Sequence, residues 1–564
     1  MTYLDRYNFW CNAGLPEDIQ QELRSISNDE EELKGRFGND LQFGTAGMRG
    51  IMGAGSNRLN RYTVRRAAQG MAAWLSGSEL PKIAAIGYDS RHNSQLFAEI
   101  CAVAFAEAGI RTYLYDRLAP TPMLSFAVRQ LGCGCGIVIS ASHNSGEYNG
   151  VKCYGPDGCQ MTDEPAAIVT QEIGKIPYFV PEKKCFREFM KEGIIEYISQ
   201  DIWEAYYRTV LAEAVDPEML RSAGLNVVYT PLCGTGNEPV REVLGRLNVN
   251  MHIVACQEKP DGDFKTCEYP NPETDAALNE SYKVADKVCC DVILGTDPDC
   301  DRVAIAVPYN GEYVKLSGNE LGCLLLDYIL KARTARCDIP EGAITVRSIV
   351  SSPLADRIAE AYGVTMKAVL TGFKYIGGEI LELENVGQEN KFIFGFEESC
   401  GYLKGTYARD KDAVVASMLV CELAASLKMQ GKTILDALKE LYTTYGQFLA
   451  KVQSIELTGA DAMEKAANMM SNLRECIPES IGGAKVTIMR DYQISKERNL
   501  LTGEENTILL PASNVLEFVM GNSGSLIVRP SGTEPKVKFY YTAVANTKEE
   551  AQLLLNAMVE QMSK

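Results

Sequence analysis

The feature that most constrains this fold is a strand–helix alternation running through much of the chain up to roughly residue 450. Residues 82–87 read as a strand, 94–108 as an amphipathic helix, 110–115 as a strand, 122–131 as a helix and 135–139 as the next strand. That rhythm predicts layered α/β units. A Pro- and charge-rich stretch at 176–184 precedes a capped helix start at Ser199, which places a boundary near residue 200. A second unit follows, with strands at 225–230, 251–256 and 291–294, a Gly234-Thr-Gly236 turn, and helices reaching Leu247 and starting at Glu273. A third starts near Leu321, with strands at 343–350, 365–370 and 391–394.

After about Tyr445 the pattern changes. Strands near 448–457, 485, 515, 525 and 536, with helices at 461–473 and from Lys548, predict an α+β module. At 564 residues the chain suits about four domains at roughly 150 residues each. The expected division is 1–200, 201–320, 321–447 and 448–564.

The strand at 135–139 runs into Ser140-Ala-Ser-His-Asn144, a loop that lifts Ser142 off a strand end. Neighbours on an extended loop point in opposite directions, so Ser142 and His143 are expected to diverge. No G-x-S-x-G elbow is present and the chain has only 3 His, so a Ser/His hydrolase is the weaker reading and a capping serine the plain one. Gly295-Thr-Asp-Pro-Asp-Cys-Asp-Arg-Val303 places Asp297, Asp299 and Asp301 at alternate positions, an oxygen-rich set suited to Mg²⁺. Three carboxylates so close carry more charge than one divalent ion offsets. A solvated acidic turn is the plain alternative, and a calcium EF-hand is disfavoured because its twelve-residue pattern with a terminal Glu is absent.

A serine beside such a cation points to phosphoryl transfer, with Lys152 as general acid or base if burial among cations lowers its pKa. Arg529-Pro-Ser-Gly-Thr-Glu-Pro-Lys536 gathers a guanidinium, hydroxyls and a glycine that match a phosphate's oxygens, and Gly44-Thr-Ala-Gly-Met-Arg-Gly50 is similar in kind. Glu397 and Glu398 read as acceptors for sugar hydroxyls or as a solvated pair. Arg409-Asp-Lys-Asp412 reads as a charged surface turn.

A formal charge of −18 disfavours nucleic acid and anionic membrane as partners, although cations concentrated in one cleft still suit a phosphorylated metabolite. No apolar run approaches the roughly 20 residues of a membrane span. The 18 Cys include no C-x-x-C pair and no leader pattern precedes them, so reduced thiols in the cytoplasm are expected.

In order along the chain, Thr45-Ala-Gly-Met-Arg-Gly50, Ser140-Ala-Ser-His-Asn144, Asp297-Pro-Asp-Cys-Asp-Arg302, Thr371-Gly-Phe-Lys374, Gly395-Phe-Glu-Glu-Ser399 and Arg529-Pro-Ser-Gly-Thr-Glu534 resemble the α-D-phosphohexomutases. The resemblance covers nearly the whole chain. It implies three related α/β domains with mixed sheets and a fourth, TATA-binding-protein-like α+β domain around a central cleft. It also implies an intramolecular phosphotransferase in which phospho-Ser142 exchanges its phosphoryl group with a sugar monophosphate through a bisphosphate.

The catalytic residues implied are Ser142, Lys152, Arg49, Arg302 and His143. Ser142, Asp297, Asp299 and Asp301 would hold Mg²⁺. Thr371, Gly372, Lys374, Glu397 and Ser399 would contact the sugar, and Arg529, Ser531, Gly532 and Thr533 the phosphate that is not transferred. The Gly-Phe-Glu-Glu-Ser loop is closer to glucose-handling members, which implies interconversion of glucose 1-phosphate and glucose 6-phosphate with glucose 1,6-bisphosphate as activator. Pentose or mannose phosphates and bisphosphate synthesis are the alternatives inside the family. A sugar-phosphate sensor without catalysis is the alternative outside it.

Overall fold

The computed structural model describes residues 1–44, 47–457, 462–530 and 536–563. The chain divides into two units, residues 1–321 with 373–432, and residues 322–372 with 433–564.

In the first unit, strands β1 (Met48–Ile51), β2 (Ile83–Tyr88), β3 (Arg111–Leu114), β4 (Cys135–Ile139), β5 (Tyr148–Tyr154) and β6 (Ile195–Tyr197) form a sheet in the order β1-β5-β4-β2-β3-β6. β4, β2, β3 and β6 are parallel, whereas at one edge β5 pairs antiparallel with β4 and β1 pairs antiparallel with β5. All five residues of β4 are buried, as a central strand covered on both faces requires. Helices Arg61–Ser76 and Ser94–Glu107 supply much of the apolar cover, through Met71, Leu75, Phe97 and Phe105.

A second mixed sheet has the order β11-β10-β9-β7-β8, from β7 (Asn226–Thr230), β8 (Asn250–Ile253), β9 (Val292–Thr296), β10 (Val303–Tyr309) and β11 (Glu312–Lys315). The expected strand at 251–256 is cut short because the chain turns into helix Ala255–Glu258, which takes in Cys256. Three helices between Tyr3 and Phe37 precede the first sheet, and Trp10 packs edge-on against Phe37, Tyr62 and Phe179. Among the described residues every cysteine is free.

The same unit contains the hairpin Phe392–Glu397 with Gly401–Lys404, and helix Ala413–Met429. That helix is apolar nearly all round and almost wholly buried, as its composition demands. Its one acidic group, Glu422, accepts the N–H groups of Val215 and Asp216 at 2.8 and 2.7 Å. Burial pushes its carboxyl up from 4.5 to about 7 despite those two bonds. A raised native pKa gives stability that is complete below the unfolded value and is lost as pH rises through the native one. The fold therefore weakens between pH 4.5 and about 7 by on the order of 3 kcal/mol at this group. Glu422→Gln is expected to flatten the decline of melting temperature across that window; an unchanged slope would contradict the assignment.

In the second unit, Ile344–Ser348 and Thr365–Val369 pair in parallel. From Gln447 onward, seven strands form one sheet in which Gln447–Glu456 lies beside Lys536–Ala545 and Gly524–Pro530 follows. Helices Ala462–Glu475 and Lys548–Met562 cover this sheet through Met470, Leu555 and Met558. An α+β module is what the changed rhythm after Tyr445 implied. Among the described residues no single helix is long and apolar enough to cross a membrane.

Candidate active site

The carboxyl ends of β4 and β9 bring Ser142 and the aspartates together, the place where α/β sheets expose loops to ligands. Ser142 has φ +52°, an uncommon conformation for a residue with a side chain. Its N–H donates to Ser140 Oγ at 2.8 Å and its Oγ–H to Asp297 Oδ2 at 2.7 Å. The expected divergence of Ser142 and His143 is wrong: Ser142 Oγ lies 3.2 Å from His143 Nδ1. The left-handed turn at Ser142 breaks the alternation of an extended loop and folds the two side chains together. Burial, with Arg302 and Arg49 nearby, holds His143 well below the usual imidazole range, so it is neutral at pH 7.

Between β9 and β10 the chain turns tightly through Cys300, at φ +53°. Asp297 Oδ1 accepts the N–H groups of Asp301 and Arg302 at 3.1 and 3.0 Å, which curls the loop around its own first carboxylate. One oxygen each from Asp297, Asp299 and Asp301 lies within 4.8 Å of the others, and all three residues are buried. Burial, and then Asp301 and Asp299, push Asp297 well above the usual carboxylate range. Asp299 Oδ1 and Asp301 Oδ1 are buried with no hydrogen-bond partner. Buried carboxylate oxygens without hydrogen bonds, one of them 3.8 Å from Arg302 Nε, beside a third carboxylate form a donor set that fits a divalent cation.

Cations meet this cluster from two sides. Lys152, on β5 opposite Val138 of β4, pairs with Asp299 and lies 3.2 Å from Asp301 Oδ2. Burial lowers its pKa, but Asp299 and Asp301 outweigh burial and leave it raised, the reverse of the lowered pKa expected from the sequence. Lys411 Nζ reaches Asp301 Oδ2 at 3.3 Å and Asp410 Oδ1 at 2.9 Å, while Tyr154 OH donates to Asp410 Oδ2 at 2.8 Å.

The loop at 409–412 is thus a buried wall of the site and not a surface turn. Its burial, though not its place beside the aspartates, had a signal in the sequence. Four charged residues directly precede an unbroken apolar run, Ala413-Val-Val-Ala416, so the cap of a buried helix has to be buried too. Asp412 is that cap, accepting from the N–H groups of Val414 and Val415.

Arg49, on β1, donates to Asn144 Oδ1 at 2.8 Å. Arg302 donates to Glu273 Oε1 at 2.9 Å; burial depresses its pKa, but Glu273, Asp301 and Asp297 raise it overall. Glu397 is buried at the end of its strand, which removes the solvated-pair reading for it, and Ser399 follows in the turn. Lys374 Nζ lies 3.2 Å from Asp163 Oδ1.

Thr371, Gly372 and Arg529 belong to the other unit. Thr371 Oγ1 is buried there without a hydrogen-bond partner. Gly372 has φ +124°, and Arg529 lies on strand Gly524–Pro530 opposite Lys538. Thr45 and Ala46 of the first motif, and Ser531, Gly532 and Thr533 of the proposed phosphate loop, fall outside the described residues.

Residues 40–178, 204–311 and 317–445 match the alpha/beta/alpha domains I, II and III of the family phosphoglucomutase/phosphomannomutase, and 494–561 match its C-terminal domain. A phosphoglucomutase of Staphylococcus epidermidis is 37% identical over 535 residues, covering 94% of this chain and 96% of the relative. Among solved structures, a phosphoglucomutase/phosphomannomutase family protein from Burkholderia thailandensis aligns at a TM-score of 0.66 and 15% identity, over 92% of this chain and 96% of that one. The open form of pp63/parafusin, a phosphoglucomutase from Paramecium, aligns at 0.67 and 16% identity, over 93% of each.

Proposed function

Because the chain belongs to the phosphoglucomutase/phosphomannomutase family, with all four of its domains, we propose that it is a phosphoglucomutase interconverting α-D-glucose 1-phosphate and glucose 6-phosphate. The observation that carries this reading is the Ser142 hydroxyl hydrogen-bonded to the first of three clustered aspartates. Curated relatives named phosphoglucomutase at 35 to 37% identity support the choice of sugar.

Asp297, Asp299, Asp301 and an oxygen of phosphorylated Ser142 would hold Mg²⁺, which would supply neutralisation of charge on the transferring group. Ser142 is the carrier. In the return half-reaction its Oγ attacks a phosphorus of glucose 1,6-bisphosphate, a new P–Oγ bond forms and the P–O bond to the sugar breaks. The Ser142 proton passes to neutral His143 Nδ1, 3.2 Å away, and the Lys152 ammonium protonates the departing sugar oxygen. The forward half-reaction is the reverse of these transfers, so protons balance over the cycle.

Arg49 and Arg302 stabilise the transferring phosphoryl group. Glu397, Ser399, Thr371, Gly372 and Lys374 recognise the sugar, and Arg529 with Ser531, Gly532 and Thr533 holds the other phosphate.

Initial rates with glucose 1-phosphate, mannose 1-phosphate and ribose 1-phosphate, measured with Mg²⁺ and a trace of the matching bisphosphate, test the substrate. Glucose is expected to dominate kcat/KM. Ribose dominating would overturn the sugar assignment while keeping the serine chemistry, and turnover of none would favour a sensor.

A further inference from the structure

We propose that Arg91 is a positioning residue for phosphoryl transfer, a buried guanidinium that holds the loop carrying Ser142 in its strained conformation. The proposal rests on the phosphoserine reading above and adds a residue to it.

Arg91 follows the carboxyl end of β2, the neighbour of β4 in the sheet. Its side chain is fully buried. Nη2 donates to the carbonyls of Ser142, at 2.6 Å, and Asn144, while Nη1 donates to those of Ser145 at 2.7 Å and Tyr148 at 2.9 Å. Three main-chain acceptors between β4 and β5, and a fourth on the first residue of β5, therefore converge on one planar group. Buried carbonyls need partners, and this loop has few main-chain bonds of its own, from Asn144 N to Ala141 O and from Tyr148 N to Ser145 O.

The guanidinium is itself fixed on its remaining sides. Asp89 Oδ2 lies 3.3 Å from Nε, and Asp89 Oδ1 accepts from Ser94 Oγ at 2.7 Å and from the Arg91 N–H at 3.0 Å. The Phe264 ring lies 5.0 Å from the guanidinium carbon. That ring arrives on a segment pressed against the serine loop: a Cβ on Gly146 would meet the Gly262 carbonyl at 2.7 Å, and one on Gly262 would meet the His92 nitrogen at 2.7 Å. His92 Nε2 and Asp263 Oδ1, 2.6 Å apart, join the segment that carries Arg91 to the one that carries Phe264.

Ser142 at φ +52° persists only because its surroundings over-determine it. The Arg91 bonds to its carbonyl and to those of the next loop residues are among these constraints, beside the bonds from its own N–H to Ser140 and from its hydroxyl to Asp297. The Arg91 guanidinium bonds the Ser142 carbonyl, so its effect runs through the main chain to the direction of Oγ toward Asp297. Lysine cannot replace it: an ammonium is a point charge, whereas the guanidinium presents a rigid fork.

Hydrogen exchange and steady-state kinetics on full-length Arg91→Lys, with Asp89→Asn as a milder variant, test this. Amides at 142–148 are expected to exchange about tenfold faster or more in Arg91→Lys while the sheet keeps its protection. kcat should fall about 100-fold with the sugar-phosphate KM within about threefold, as misplacement of a reacting atom predicts. Asp89→Asn should move both readouts the same way and less far, and it decides the question should Arg91→Lys fail to fold.

Wild-type exchange at 142–148 and wild-type kcat in folded variant would overturn the proposal. So would a fall in rate accounted for by lost folded protein with loop protection unchanged. An inactive wild type would overturn the functional reading alone, because the exchange readout judges the clamp without turnover.

Discussion

Ser142→Ala is expected to abolish net isomerisation, lowering kcat by roughly 10⁴-fold or more while the protein stays folded. Exchange of a phosphoryl group between two positions of one sugar needs a carrier that accepts and returns it, and water cannot return it. Ser142 Oγ is the hydroxyl that bonds Asp297, and His143 Nδ1 lies beside it to take or give the proton. Removing Oγ deletes two polar contacts and leaves the main-chain bonds to Ser140 and Arg91 in place, so the loop should survive. Initial rates with a circular-dichroism check of folding measure it. A folded variant turning over within tenfold of wild type would remove Ser142 from its role.

Asp299→Asn is the second large effect. Asp299 offers one unpaired buried oxygen and uses the other to bind Lys152 and Thr121. The amide keeps the shape but loses the charge a hard cation requires, and it presents an N–H₂ where an acceptor stood. kcat should fall about 10³-fold, and the Mg²⁺ concentration for half-maximal rate should rise at least about tenfold. Loss of the Lys152 ion pair adds to the fall in rate. A Mg²⁺ titration superimposing on that of wild type would make the cluster structural. Indifference of the wild-type rate to chelation would restore the Ser/His hydrolase.

What the sequence disclosed and what it hid follow from the range of the interactions. β4 ends at Ile139 as expected because a central strand covered on both faces is a continuous apolar run, and such a run is legible residue by residue. The aspartate cluster was legible because its three members lie within five residues. The place of Lys411 in the site was hidden because its partner Asp301 belongs to a distant segment of chain, and its other partner, the adjacent Asp410, makes the charged tetrapeptide look solvated when viewed alone. Arg91 was hidden for the same reason. It lies about fifty residues before the carbonyls it binds, and nothing local distinguishes a guanidinium that grips main chain from one on the surface.

His143 illustrates a different limit. Alternation along an extended loop is a sound rule, and one residue at positive φ reverses it, a conformation that a serine does not announce. The three N-terminal helices lie outside the alternating pattern and precede the first matched domain, so neither periodicity nor motif pointed to them.

The most direct measurement of the central claim is to phosphorylate the enzyme with glucose 1,6-bisphosphate labelled in its phosphates, map the label, and then chase it with unlabelled glucose 6-phosphate. Label is expected on Ser142 alone, with complete transfer to sugar bisphosphate during the chase. Label on any other residue, or label on Ser142 that sugar phosphate cannot remove, would contradict it.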